Sequence, residues 1–409
     1  MSDSWLSEFA PRLRELETRN LLRRRRVVVP ENDAYLQVDG VSLLSFCSND
    51  YLGLANDPIL RDAVHAAVEV YGVGAGASPM VSGFSEANRA LEIELARAVG
   101  LPRALYFYAG YATNASVIPA LVGADDDLFS DSLNHACLID GARLSKARIH
   151  RYEHANLAAL EALLGASTAH RKLVVSDAVF SMDGDLADIP ALLALCQQFD
   201  ALLMLDDAHG LGVLGPQGRG ALAAANLVDD QASDRILYMS TLGKALGVAG
   251  AFVAGNDTLI EWLLQTTRSY TYATAAPALL AQALRASLTC VLGPEGDRRR
   301  EHLQSLIRQL RSGLSHGAHP ALDACGWTLM PSTTAIQPLV IGSSTQALFL
   351  TQKLRERGFW VPAIRPPTVP QGTDRLRITL SAAHQSSDVE RLLNALYELA
   401  EEQLSATPR

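Results

Sequence analysis

Apolar and polar positions along this 409-residue chain follow two rhythms. Near the start, Leu6, Phe9, Leu13 and Leu16 are spaced by three and four, which predicts one apolar stripe on a helix. The same spacing returns further on: Ser85 reads as a helix N-cap, Leu91, Leu95 and Val99 share a face, and Gly100 supplies the stop. A different rhythm then takes over. Short, nearly unbroken apolar runs recur at 105–108, 127–130, 173–176, 202–205, 235–239 and 251–254, with helix-length segments such as 190–199 between several of them. Runs without alternation are what strands covered on both faces look like. Alternating with helices, they predict an α/β fold built on a mainly parallel sheet with helices on each side.

From about residue 290 the texture changes. A charged helix is expected around 298–314 and another near 346–358, followed by an extended crossing through Pro362, Pro366, Pro367 and Pro370. Residues 375–380 alternate charged and apolar, the pattern of a half-buried strand. The expected organisation is therefore an N-terminal helix and arm over 1–50, a large α/β domain over 51–289, and a smaller α+β domain over 290–409.

Composition narrows the function. With a net charge of −9 the chain lacks the basic balance that general nucleic-acid binding requires, although Arg23 to Arg26 form a local basic run. Acidic residues at Asp3, Glu8, Glu15 and Glu17 argue against a transit peptide, and neither a secretory signal nor a membrane span is expected. Five scattered cysteines without a C-x-x-C pair suggest neither a zinc site nor a disulfide framework, so a reducing cytoplasm is the expected address.

Ligands of parallel α/β sheets bind at the carboxyl ends of the strands, which makes the residues just after each run the candidates for chemistry. Gly110 and Tyr111 follow the first run, Ser181 the third, Asp206 and His209 the fourth, and Thr241 and Lys244 the fifth. A carboxylate ending a buried run is costly unless it meets a cation, and a protonated pyridine nitrogen would be one. Lys244, flanked by glycines and apolar residues, has the setting in which desolvation lowers an amine's pKa and favours Schiff-base chemistry. Asp206, Asp207 and His209 could instead hold a metal, but a hydrolytic centre gives no role to that lysine. The glycine-rich stretch 72–83 lacks the Gly-Lys-Ser/Thr ending of a P-loop.

The order Asp206-x-x-His209, then Ser240-Thr241-x-Gly243-Lys244, resembles the α-oxoamine synthase family of fold-type-I pyridoxal-phosphate (PLP) enzymes. Ser48-Asn49-Asp50-Tyr51-Leu52-Gly53-Leu54, Val179-Phe180-Ser181-Met182-Asp183-Gly184-Asp185 and Gly215-x-x-Gly218-Arg219-Gly220 extend the resemblance over nearly the whole chain. Within the family, Ala363-Ile364-Arg365-Pro366-Pro367-Thr368-Val369-Pro370 is similar to the members that join L-alanine to a pimeloyl thioester in biotin biosynthesis. Members using glycine with acetyl-CoA stay open as an alternative, as does a non-catalytic cofactor-binding protein.

The resemblance implies an acyltransferase that works as a homodimer with sites at the subunit interface. It gives Lys244 as the Schiff-base lysine, Asp206 as partner of the pyridine nitrogen and His135 as the residue stacked on the ring. Gly110, Tyr111, Ser181, His209 and Thr241 match cofactor contacts. Arg23, His135 and Thr368 match substrate contacts, and Arg377 matches the arginine that holds the amino-acid carboxylate. Whether the acyl carrier is coenzyme A or acyl carrier protein stays open. The chain departs from the family pattern at Ala77-Ser78-Pro79-Met80, and at Asp177, where glutamate is more usual.

Overall fold

The computed structural model describes residues 5–19, 21–32 and 34–406. Among them, the largest sheet has seven strands, in the order Arg103–Phe107, Ala251–Gly255, Ile236–Thr241, Leu202–Asp206, Lys172–Asp177, Asp127–Asp131 and Arg148–Tyr152. The last five in that order run parallel, and Ala251–Gly255 is antiparallel to both of its neighbours. All six apolar runs are strands. The seventh strand, Arg148–Tyr152, is an edge strand of mostly polar, partly exposed side chains, so it carries no apolar run to find.

Each of the other six strands contributes to two cores, because successive side chains point to opposite faces. Leu105, Leu128, Leu173, Met204, Leu237 and Val253 pack on one face, while Tyr106, Phe129, Val174, Leu203, Ile236 and Phe252 pack on the other. Burying a large aliphatic or aromatic side chain stabilises the fold by roughly 1.5–3 kcal/mol each. The helix Glu86–Val99 starts and stops where the sequence indicates. Ser85 caps it through the Asn88 N–H, Gly100 leaves it in the left-handed region, and Leu91, Leu95 and Val99 are buried.

Two smaller sheets complete the described chain. Thr328–Leu329, Ile336–Val340, Arg375–Thr379 and Ala363–Ile364 form an antiparallel sheet in that order. The other joins the ends of the sequence: Val41–Ser45 pairs with Tyr35–Val38 on one side and runs parallel to Phe359–Trp360 on the other, Leu44 opposite Phe359.

One expectation needs correction. Arg375–Thr379 is not half-buried, because every residue in it is buried. Its arginines lie under the turn that follows Lys172–Asp177, where ion pairs and carbonyls receive them. The N-terminal stripe forms helix as expected, a short 3-10 turn at Trp5–Glu8 and then Phe9–Thr18, and Leu6, Phe9, Leu13 and Leu16 on it are all exposed.

Candidate active site

The carboxyl ends of the parallel strands converge on one rim, with Asp206 near its centre. This side chain is only 4% exposed, yet neither oxygen is bare: Asn114 Nδ2 donates to Oδ2 at 2.6 Å and the Ala208 amide donates to Oδ1 at 3.0 Å. Asp177 ends the neighbouring strand in register with Asp206. Its Oδ2 accepts the His135 amide at 2.7 Å, and its own amide donates to Asn134 Oδ1 at 3.0 Å. Burial pushes the Asp177 carboxyl well above the usual range, and the charge on Asp206 adds to the shift.

Lys244 lies in the loop after Ile236–Thr241. Burial lowers its amine to about 8, against the opposing pull of Asp206 and Asp177. Its Nζ is 2.7 Å from His209 Nε2, and His209 Nδ1 is 2.5 Å from Tyr51 Oη. Burial, reinforced by the Lys244 and Arg377 cations, holds His209 well below the ordinary histidine range, so the ring is a neutral imidazole. Burial also pushes the Tyr51 hydroxyl up to about 12. At neutral pH the three groups thus carry at most one charge, and it sits on the lysine.

His135 is the N-cap of Ala136–Ser145. Its Nδ1 accepts the Cys137 amide at 3.3 Å and is 2.8 Å from Cys137 Sγ, which places the ring proton of the neutral form on Nε2. Burial lowers its pKa, opposed by Asp206. Arg377 reaches the rim from the smaller sheet. Its Nε donates to the Ser181 carbonyl at 2.7 Å and Nη1 to Thr379 Oγ1 at 3.0 Å, and its charge acts on Tyr51, His209 and Lys244.

At the other side of the rim, the helix Gly110–Leu121 begins without a side-chain cap, after Ala109 in extended conformation. Such an end presents free N–H groups and a positive dipole, the setting that receives a phosphate. Gly110 sits against Thr241, since a Cβ added there would lie 3.6 Å from Thr241 Oγ1. That hydroxyl donates to the Gly250 carbonyl at 3.0 Å. Tyr111 is exposed and its hydroxyl meets Asp140.

The structure therefore gathers Lys244, Asp206, His135, His209, Thr241, Gly110, Ser181 and Arg377 on one rim. It does not bring Arg23 or Thr368 there by any hydrogen bond or ion pair among the described residues, and both are exposed. The alternative metal set does not converge either. Asp207 turns away from His209 to accept the Ala221 amide and the Tyr238 hydroxyl, each at 2.7 Å. Reading the sequence missed Asn114, whose signal is a polar residue at a buried position on an apolar helix face, and it missed the role of Tyr51 behind His209.

These residues fit pyridoxal phosphate. Asp206 is a fixed, buried carboxylate for a pyridinium nitrogen, the uncapped helix start suits the phosphate, and Lys244 offers an amine of lowered pKa to the aldehyde carbon. The chain matches the aminotransferase class I and II family over residues 41–396. It is 64% identical to an 8-amino-7-oxononanoate synthase 1 of a Polaromonas species, over 98% of this chain and 97% of that one. It is also 64% identical to the 8-amino-7-oxononanoate synthase of Paracidovorax citrulli, over 99% and 97%. Its fold is similar to that of a serine palmitoyltransferase variant from S. paucimobilis solved with bound PLP and myriocin, with a TM-score of 0.87, 26% identity, and 99% and 100% of the two chains covered. Strand-end chemistry and similarity along the full length thus agree, and the chain belongs to the aminotransferase class I and II family, among its 8-amino-7-oxononanoate synthases.

Proposed function

We propose that this PLP-dependent acyltransferase condenses L-alanine with a pimeloyl thioester, giving 8-amino-7-oxononanoate, carbon dioxide and free thiol in biotin biosynthesis. The observation that carries the reading is the Lys244 amine, lowered to about 8 beside buried Asp206, in a chain 64% identical to synthases of that name.

When bound, PLP supplies an electron-accepting ring for negative charge at the amino acid's Cα. Asp206, held by Asn114 and the Ala208 amide, would keep a proton on the pyridine nitrogen. Gly110 and Thr241 would hold the phosphate side, with Tyr111 and Ser181 as neighbouring contacts, and His135 would contact the ring. Lys244 takes the Cα proton at Nζ and returns a proton there after carbon dioxide has left. Near neutral pH a useful fraction of this amine is already free to accept a proton, which an ordinary lysine would not offer. Neutral His209 orients it without adding a competing charge. Arg377 grips the alanine carboxylate through two parallel hydrogen bonds, as a planar guanidinium can. The new bond joins Cα to the thioester carbonyl carbon as the thiol departs. Arg23 and Thr368 contact the acyl partner.

The active form is a homodimer in a reducing cytoplasm, in keeping with five free cysteines. The acyl carrier is coenzyme A or acyl carrier protein, and the exposed run from Arg23 to Arg26 would suit an acidic carrier. Among the described residues no helix is long and apolar enough to cross a membrane. Thiol release and product mass, measured with L-alanine and each pimeloyl carrier, test the reading. The mass of 8-amino-7-oxononanoate is expected, and turnover only with glycine and acetyl-CoA would overturn it.

A further inference from the structure

Beside the rim, three strand-end segments meet at one histidine. His154 follows the edge strand Arg148–Tyr152. Its Nδ1 is 3.0 Å from Asp131 Oδ1, at the end of the adjacent strand, and its Nε2 is 2.8 Å from Asp185 Oδ2. A carboxylate accepts hydrogen bonds and offers none, so facing one at each nitrogen the ring carries both protons and is a cation. Those two hydrogen bonds raise its pKa to about 10 in spite of burial. The ring also stands edge-on to Phe180, with centroids 4.4 Å apart.

Phe180 and Asp185 belong to a tight hairpin. The Phe180 amide donates to the Asp185 carbonyl, the Ala187 amide donates to the Ala178 carbonyl, and Val179 bridges to Leu186. The tip of the hairpin receives both arginines of Arg375–Thr379. Ser181 O accepts Arg377 Nε at 2.7 Å, and Asp183 pairs with Arg375. Gly184, at φ +74°, lets its carbonyl accept Ser332 Oγ at 2.8 Å; a Cβ there would lie 2.5 Å from the Ile336 carbonyl. The far side of the tip is therefore fixed by the smaller sheet, and the near side depends on His154.

We infer that His154 is a positioning residue for the amino-acid carboxylate: clamped as a cation between Asp131 and Asp185, it fixes the hairpin whose Ser181 carbonyl aims the Arg377 guanidinium. The inference rests on the reading of Arg377 as the carboxylate anchor. His154, Asp183 and Asp185 approach one another closely enough to hold a metal ion. Both ring nitrogens are already engaged by carboxylates and Asp183 is already paired with a guanidinium, so the cluster closes on itself.

The test uses the full-length, PLP-loaded protein in four forms: His154→Gln, Asp185→Asn, Arg377→Ala and the double variant His154→Gln/Arg377→Ala. A glutamine amide can donate to one carboxylate but cannot clamp two. His154→Gln is expected to raise the alanine KM about ten-fold, the scale of a lost charge-assisted hydrogen bond. The thioester KM should stay unchanged and kcat should fall less than about three-fold. Hydrogen exchange of the Gly184 amide, which donates to Phe180 O, should quicken in the same variant. In the Arg377→Ala background, His154→Gln should add nothing to the alanine KM, because both changes remove one interaction.

If Arg377→Ala raises the alanine KM and His154→Gln does not, or if their effects simply multiply, the positioning role is wrong and the anchor stands. If Arg377→Ala itself leaves alanine saturation unchanged, the anchor reading fails, and the inference with it. Should His154→Gln not fold, Asp185→Asn keeps the ring and replaces one charged acceptor with a neutral amide. It should show the same split between alanine and thioester at smaller size, and its absence would overturn the role.

Discussion

The strand-end rim and the N-terminal arm carry residues of equal standing in the family resemblance, yet they are built in opposite ways. Around Asp206 the functional side chains are held across elements: Asn114, on a helix, donates to Asp206, the Asp177 carboxyl on the next strand accepts the His135 amide, and Arg377, from the smaller sheet, donates to the Ser181 carbonyl. On the arm, Arg23 and the stripe Leu6, Phe9, Leu13 and Leu16 stand exposed on a single chain. The difference teaches where a single chain completes its chemistry. On the proposed reading, proton handling and carboxylate recognition are prepared inside the fold, where desolvation gives each charge leverage, and contact with the acyl partner is left at the surface.

The comparison breaks most sharply at Lys244. Lys244→Ala should lower kcat by roughly a thousand-fold or more, while leaving the protein folded. In the unaltered protein, borohydride should fix the cofactor on Lys244; finding it on another lysine would undo the assignment. The pH dependence has a definite sign. The folded amine titrates at about 8, below its ordinary 10.5, so PLP capture by the apoprotein should accelerate as pH rises through about 8. Below 8 the charged amine weighs fully against folding, and that burden is relieved between about 8 and 10.5, so the contribution of this group to stability rises with pH there.

Asp206→Asn comes next. It should still bind PLP, because the phosphate side is untouched, but lose about a hundred-fold or more in kcat, since an amide does not hold a proton on the pyridine nitrogen. Near-normal turnover with alanine would show that the pairing is misplaced.

The two arginines of one strand then separate binding from stability. Arg377→Ala should raise the alanine KM about ten- to hundred-fold, with Arg377→Lys recovering only part of the loss. Arg375 is buried and paired with half-buried Asp183 instead, so Arg375→Ala should destabilise the fold by about 1.5–3 kcal/mol in denaturant titrations. Equal kinetic behaviour of the two variants would erase the distinction. The smallest effect belongs to the arm. Arg23→Ala should change only the thioester KM, by roughly two- to five-fold, as expected of an exposed charge. A shift in alanine saturation would instead join the arm to the rim.

Much of this architecture is legible in the residues, and the exceptions have physical causes. Strands covered on both faces announce themselves as apolar runs, whereas the edge strand Arg148–Tyr152 faces water and hides among polar residues. A run reveals that a strand is buried but not its direction, so the antiparallel Ala251–Gly255 is indistinguishable in sequence from its parallel neighbours. Lys244 and Asp206 are visible because strand ends and flanking glycines mark them. Asn114 and His154 are not, because their meaning comes from partners far away in the chain: Asp206 for one, Asp131 and Asp185 for the other. The alternation of Arg375, Arg377 and Thr379 shows which side chains share a face, but not that both faces are covered.

The small sheet that joins Val41–Ser45 to Phe359–Trp360 bears on how the protein comes into being. A chain leaving the ribosome presents its first strands long before their last partner exists, and contacts of such high sequence separation form late. Tyr51 lies just beyond that strand, and its carbonyl accepts the amide of Ala382, another late arrival. The large sheet and Lys244 can be in place while translation continues. The clasp of Tyr51 on His209 and the approach of Arg377 must wait for the final segment. A nascent or truncated chain that stops before residue 359 therefore has the lysine without the surroundings that make it work.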